Sequence, residues 1–150
     1  MELEYVTFQG IPEGEKLTGM VKLHKSIFGE SYDLIKRMQE KQALYVDLAL
    51  EHQQVVGYKM GYALNREQFY SWLGGVDKGY RKRGIASTLM ERQHRFLKEK
   101  GYATVRTHTK NKWRSMLILN IQSGFDIIGT YTDKEGEPKI ILEKELYSGK

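Results

Sequence analysis

Apolar residues recur along this chain at two spacings, and the switches between them mark out the elements. Leu17, Met20, Val21, His24, Ile27 and Phe28 return every three or four residues, the period of one helix face, and Gly29 closes the run. Ser31 stands as an N-cap ahead of a second, short helix marked by Leu34, Ile35 and Met38. The next three segments, about 43–51, 55–64 and 68–76, alternate with period two. His52-Gln-Gln54 and Asn65-Arg-Glu67 separate them as turns, which predicts an antiparallel meander. Ile85, Leu89, Phe96 and Leu97 mark a helix ending at Gly101, and a strand follows at 104–109. Trp113, Met116, Leu117 and Ile121 mark another helix, stopped by Gly124, and two strands at about 125–132 and 139–146 flank the turn Asp133-Lys-Glu-Gly136. With a first strand at 2–8, the order is β-α-α-β-β-β-α-β-α-β-β, an α/β (α+β) chain of one domain over 1–150.

One junction in this order carries chemistry. The strand ending at Val76 runs into a loop holding Gly79, Arg81, Lys82, Arg83 and Gly84, and a helix starts at once with Ile85, Ala86 and Ser87. A basic, glycine-marked turn at a helix N-terminus aims free backbone N–H groups and the positive end of the helix dipole into one concavity, a cradle for an anion. Gly79 and Gly84 have the spacing of a P-loop, but Ile85-Ala86 occupies the place of the Lys-Ser/Thr pair that must hold phosphates and Mg²⁺. The dinucleotide fingerprint G-x-G-x-x-G is absent as well, since Gly74-Gly75 precede the turn. The alternative to a ligand cradle is a solvated basic loop that caps a helix.

Charge sharpens the picture. The net charge is +5, but residues 76–114 hold twelve Lys and Arg against Asp77, Glu91 and Glu99, a surplus of nine that leaves the remainder at minus four. Such asymmetry suits a polyanion, either a multiply phosphorylated cofactor or nucleic acid. The sequence contains no cysteine, which excludes disulfides, thiolate metal sites and an acyl-cysteine intermediate. His24, His52, His94 and His108 are scattered and form no H-E-x-x-H, so no metal is implied. No apolar run reaches membrane-spanning length and Met1-Glu-Leu-Glu is unlike a secretion signal, so a cytoplasmic protein is expected.

Arg81-x-x-Gly84-x-Ala86 matches the pyrophosphate-loop signature R/Q-x-x-G-x-G/A, and here the chain resembles the GCN5-related N-acetyltransferase (GNAT) superfamily. The element order matches that superfamily over the full length, and Gly124-Phe125 and Leu119 match its second motif, A-x-x-L-Y-x-K-x-G-F. The resemblance implies a central mixed, mostly antiparallel sheet of about seven strands flanked by about four helices. It also implies acetyl-CoA as co-substrate, bound by Gly75, Val76, Arg81, Lys82, Arg83, Gly84, Ile85, Ala86, Ser87, Asn111 and Asn120. Asn120 replaces the motif tyrosine, a proposed acid for the departing thiolate, and an amide cannot deliver a proton at neutral pH. Asn120 therefore reads either as a contact to the thiol or pantetheine, or as a buried amide satisfied by neighbouring backbone. Asn111 reads either as a pantetheine contact or as an N-cap.

The general base is harder to place. Many superfamily members carry a glutamate within the fourth strand, but 69–76 contains no carboxylate. Glu67 at its start is the first candidate, Asp47 the second and His108 the third; each reads alternatively as a solvent-facing charge. Adjacent Gly74-Gly75 suggest a bulge where that strand splays from its neighbour. For the acceptor, the resemblance points to segment 28–33 and to Tyr58, Tyr62, Tyr70 and Trp72. The leading expectation is an acetyl-CoA-dependent N-acetyltransferase acting on a primary amine of a small molecule or peptide, with a homodimer possible. The alternatives are a CoA-binding module of the same fold without turnover, and a nucleic-acid-binding domain, disfavoured because no reader motif or interleaved aromatics accompany the basic residues.

Overall fold

A computed structural model describes residues 2–147. Seven strands form one sheet in the order β1-β2-β3-β4-β5-β7-β6, with β1 at Glu4–Gln9, β2 at Tyr45–Glu51, β3 at Gln54–Ala63, β4 at Gln68–Val76, β5 at Thr104–Lys110, β6 at Asp126–Thr132 and β7 at Pro138–Glu145. The helices are α1 (Gly14–Phe28), α2 (Leu34–Gln39), α3 (Ile85–Lys100) and α4 (Arg114–Gln122). Every neighbouring pair is antiparallel except β4 and β5, which run parallel because α3 carries the chain across between them. Seven strands, four helices and the expected element order are all present.

Local chemistry explains most boundaries. Glycine takes the left-handed backbone that ends α3, where Gly101 has φ +91° and returns its N–H to the Lys98 carbonyl at 3.1 Å. The β2–β3 hairpin closes on His52 and Gln53, both with positive φ, the geometry of a tight two-residue turn made here without glycine. Ser31 is not the N-cap of α2. Asp33 holds that position, and Ser31 serves the helix start only through its carbonyl, which accepts the Leu34 N–H at 3.2 Å.

Apolar residues divide between the two faces. On one, Met20 and Leu23 of α1 and Leu34 and Met38 of α2 pack on Val46, Leu48, Tyr58 and Met60. On the other, Met90 and Leu97 of α3 meet Phe69, Val105 and Leu142, while Ile85 and Leu89 cover Ala49 and Val56. One charged group is sealed within this second layer: Asp47 has no exposure and is held by Arg92 of α3, through Nε at 2.7 Å and Nη2 at 3.0 Å, and by the Thr7 hydroxyl at 2.8 Å.

The pairing shifts register between β2 and β3, between β6 and β7, and between β3 and β4, and the last of these bears on the site. Met60 pairs with Leu73 and Gly61 with Ser71, so Trp72 is an extra residue on β4 and the bulge sits there. Gly74 and Gly75 pair regularly with Lys59 and Tyr58, so the bulge expected at the two glycines lies two residues earlier. The pairing of β4 with β5 runs only from Gln68 with Thr104 to Ser71 with Thr107. Beyond it the strands part, and among the described residues one edge of 72–76 and one edge of 108–110 have no strand partner.

Candidate active site

The loop between β4 and α3 is built to leave amides free. Asp77 accepts the Gly79 N–H at 2.9 Å and fixes a single 3-10 turn at Lys78–Tyr80. The chain then passes through Lys82 (φ +64°) and Gly84 (φ +80°), two left-handed residues separated by Arg83. A non-glycine residue in that region costs energy that a regular turn would not, and such strain collects where backbone is aimed at a ligand. The Gly84 carbonyl accepts the Thr88 N–H at 3.0 Å and its hydroxyl at 2.8 Å, which makes Gly84 the N-cap of α3. Among the described residues no side chain caps this helix, so the N–H groups of Ile85, Ala86 and Ser87 point outward without a capping partner there. A Cβ built on Gly84 meets nothing within 4 Å, so the approach to these amides is open.

Cations surround the opening. Arg81, Lys82 and Arg83 are all exposed; Arg81 donates from Nε to the Val76 carbonyl at 3.3 Å, and Arg83 lies over the Tyr80 ring at 5.3 Å. A helix dipole, uncapped amides and three basic side chains thus converge where β4 ends. Gly75 and Val76 form the adjoining strand edge. Gly75 is packed from the other face by Ile27, whose Cδ1 would lie 2.5 Å from an added Cβ.

Two asparagines expected at the cofactor stand in and just before α4. Asn120 is 4% exposed in α4, and its side-chain amide makes no hydrogen bond among the described residues. Its main-chain carbonyl accepts the N–H groups of Ser123 and Phe125 at 3.1 and 3.0 Å. Asn111 directly follows β5 but is not an N-cap: α4 starts at Arg114, and the Asn111 N–H is spent on the Pro138 carbonyl at 3.1 Å.

The three base candidates separate. Glu67 is exposed in the turn before β4, four residues and so about 13 Å short of Ser71, where the strands part. Asp47 is sealed and committed to Arg92 and Thr7. His108 stands on β5 just past the last β4–β5 pair, half-buried, with Nδ1 3.3 Å from the Tyr131 hydroxyl and its ring edge-on to Tyr70 at 5.3 Å. Burial, then Lys139 and Arg106, hold its pKa below the ordinary histidine value, so the ring is neutral and proton-accepting at neutral pH. Of the three, only His108 lies beside the parted strands.

Below Gly75 sits a pair that its sequence separation conceals. His24 of α1 and Tyr58 of β3 share a buried hydrogen bond of 2.5 Å across 34 residues. Burial, then Arg37, lowers the His24 pKa, and burial raises that of Tyr58, so both are uncharged at neutral pH. His24 also lines a recess of about 250 Å³ with Val21, Ser31, Tyr32 and Leu34, at the α1–α2 segment expected to face the acceptor. Asp133, Glu135 and Glu137 bring carboxylates within 4.8 Å of one another in the β6–β7 turn. That cluster is turn structure: Asp133 accepts the Glu135 and Glu137 amides, and Glu137 pairs with Lys110 and Lys112. No described helix is long and apolar enough to cross a membrane.

Known proteins share this fold. The model of the acetyltransferase (GNAT) family matches residues 17–114. The fold superposes on ribosomal-protein-S18-alanine N-acetyltransferase from Escherichia coli with TM-score 0.79 at 15% identity, covering 95% of this chain and 94% of that one. A GNAT family acetyltransferase from Elizabethkingia anophelis, solved with acetyl-CoA bound, gives TM-score 0.73 at 18% identity over 95% and 97% of the two chains. An aminoglycoside 6'-N-acetyltransferase complexed with coenzyme A gives 0.79 at 11% identity over 94% and 97%. No curated protein matches the sequence.

Proposed function

The chain belongs to the acetyltransferase (GNAT) family, and from that premise we propose that it moves an acetyl group from acetyl-CoA directly to a primary amine of a small molecule or peptide. One observation carries the assignment of the site: the uncapped first turn of α3, entered through left-handed Lys82 and Gly84, opens beside the unpaired edge of β4. The amides of Ile85, Ala86 and Ser87, with Arg81, Lys82 and Arg83, hold the pyrophosphate. The free edge at Gly75–Val76 pairs with the pantetheine amides, and Asn111 and Asn120 contact the same arm from the opposite wall. The two neighbours solved with coenzyme A or acetyl-CoA support this choice of ligand.

Acetyl-CoA supplies the activated thioester. The protein contributes orientation, a main-chain N–H near Val76 directed at the developing oxyanion, and a route for the amine proton. A donor of that kind is worth about 3–4 kcal/mol of barrier. With no cysteine in the sequence the amine attacks the thioester itself. His108 takes the proton, directly or through water. Glu67 and Asp47 have no part in this, one by distance and the other by its sealed pairing. The leaving group is a thiolate, which Asn120 stabilises by donating a hydrogen bond.

A second reading, a cofactor-binding module without turnover, draws on Asn120 in place of the motif tyrosine and on the lack of a carboxylate in β4. Calorimetry with acetyl-CoA and thiol release across an amine panel test both. Binding with amine-dependent release supports transfer, binding without release supports the module, and no binding at millimolar ligand refutes both.

A further inference from the structure

The face of the sheet opposite α3 carries a run of rings that the cofactor site does not use. The bulge turns Trp72 and Leu73 to this one face, and both pack against the α1–α2 layer. Tyr62 lies 5.4 Å from Tyr70 and 5.6 Å from Trp72; Tyr70 lies 5.3 Å from His108, and His108 5.7 Å from Tyr131. The rings of this floor stand on β3, β4, β5 and β6 at the level where β4 and β5 part, so it adjoins the path proposed for the thioester from the side away from α3.

Cations outnumber carboxylates around the floor. Lys41 Nζ sits 4.5 Å from the centre of the Tyr62 ring and 4.8 Å from that of Trp72, and Arg37 Cζ lies 5.2 Å from Trp72. Lys139, directly across from Tyr131, and Arg106 are the charged groups that act on His108, and Arg37 is the one that acts on Tyr62. Of the nearby carboxylates, Glu143 is bound by Arg106 at 2.8 Å and Asp33 faces Arg37 at 3.7 Å, both cations of the same set. Lys41 and Lys139 have no carboxylate at ion-pair distance among the described residues. A polycationic amine would meet unneutralised Lys41 and Lys139 here. An amine with an anionic group elsewhere in the molecule would satisfy them while its apolar part lay on the rings.

Resting on the acetyltransfer reading, we propose that the acceptor is an anionic amine, one whose molecule also carries a carboxylate or phosphate, held by Lys41 and Arg37 over Trp72 and Tyr62 with its amine turned toward the parted strands. The step is transfer: the amine nitrogen bonds to the acetyl carbon, the carbon–sulfur bond breaks, the electron pair leaves on sulfur, and His108 accepts the amine proton.

The test uses matched acceptors with acetyl-CoA and a thiol-release readout, phenylalanine against phenylalaninamide for the carboxylate and glucosamine 6-phosphate against glucosamine for the phosphate. The amide is the less basic amine of its pair, so chemistry alone favours it and the comparison is stringent. The expected result is kcat/KM at least about tenfold higher for the anionic member of one pair, which also tells carboxylate from phosphate. In the double variant Arg37→Ala/Lys41→Ala that preference should vanish through KM, while calorimetric affinity for acetyl-CoA stays at the parent value and so reports a folded protein. Equal or reversed preference, a preference the double variant keeps, or no transfer to either anionic amine overturns the proposal. Failure of the parent protein to bind acetyl-CoA would instead bring down the acetyltransfer reading, and this inference with it.

Discussion

Replacing Gly84 by Asp should separate cofactor affinity from protein stability, because the added charge opposes a bound anion but offsets part of the strain in the fold. Gly84 has φ +80°, and a Cβ there meets nothing within 4 Å, so the cost of a side chain is backbone strain alone, about 1 kcal/mol. Asp and Asn tolerate the left-handed region better than other residues. Asp also places a negative charge at the positive end of α3, which returns roughly 0.3–1 kcal/mol. The folded protein should therefore lose little stability. Binding should fall sharply. A carboxylate on that Cβ lies on the order of 5 Å from an anion held by the amides of residues 85–87, and at an effective dielectric near 20 each unit of charge costs about 3 kcal/mol, roughly a hundredfold in Kd. Gly84→Asn is the control, with the same shape and backbone demand but no charge. Calorimetry with acetyl-CoA should find Asp about a hundredfold weaker than Asn, and thermal melts should find the two close. Asp and Asn binding within about threefold of each other would mean that no anion rests on these amides.

Other expectations concern the layer beneath α3. His94 is buried against Lys144, whose Nζ lies 3.0 Å from Nδ1, with Lys59 also acting on it; burial first, then Lys144 and Lys59, push its pKa to about 3. A histidine depressed in the fold leaves the unfolded chain binding more protons between pH 6.5 and about 3, so its contribution is intact above 6.5 and lost as pH falls, at up to about 1.4 kcal/mol per pH unit. Urea titrations of parent and His94→Gln from pH 7 to 4 should show the parent falling more steeply; parallel curves would refute this. Arg92→Met strips Asp47, fully buried, of its cation and should cost about 3–5 kcal/mol in urea unfolding. A loss under 1 kcal/mol would mean Asp47 finds another partner. Gly61→Ala places a methyl 2.5 Å from Phe69 Cε2 and 2.6 Å from the Tyr70 carbonyl oxygen, beside the bulge, and should cost about 1–3 kcal/mol or more by the same assay; an unchanged midpoint would show that β4 yields freely.

What could be read from the sequence was local, and what could not was set by partners far along the chain. Periodicity gave the strands and helices because one face of each is buried, and glycines 29 and 101 marked helix ends because each takes a positive φ there. The anion cradle was legible for the same reason, being a strand, a turn and a helix start within eleven residues. The left-handed Lys82 was not, since no residue preference points to it. Ser31 and Asn111 have the chemistry of caps, but the cap position of α2 falls at Asp33, two residues beyond Ser31, and that of α4 at Trp113. Asp47 shows the limit most plainly. Its alternating position suggested a polar face, and only the fold brings Arg92 over it from 45 residues away. The bulge misled by a related route, because glycine pairs indicate where a bulge is cheap, while the register against β3 decides where it falls.

That register also explains why one strand can serve both halves of a reaction. Were β4 regular and paired with β5 to its end, main-chain bonds would fill the edge at 72–76 and no thioester arm could join the sheet. The parallel pairing instead stops at Ser71 and Thr107. The extra residue at Trp72 falls immediately after that stop, and a bulge adds twist to the strand that bears it. The same three residues thus free an edge toward α3 and its uncapped amides, and turn Trp72 to the opposite face beside Tyr62, Lys41 and Arg37. Cofactor and acceptor would approach β4 from opposite faces and meet only where the sheet is open. Inserting or deleting one residue at the bulge should accordingly damage both affinities together, whereas changes at Gly84 or Lys41 should damage one each.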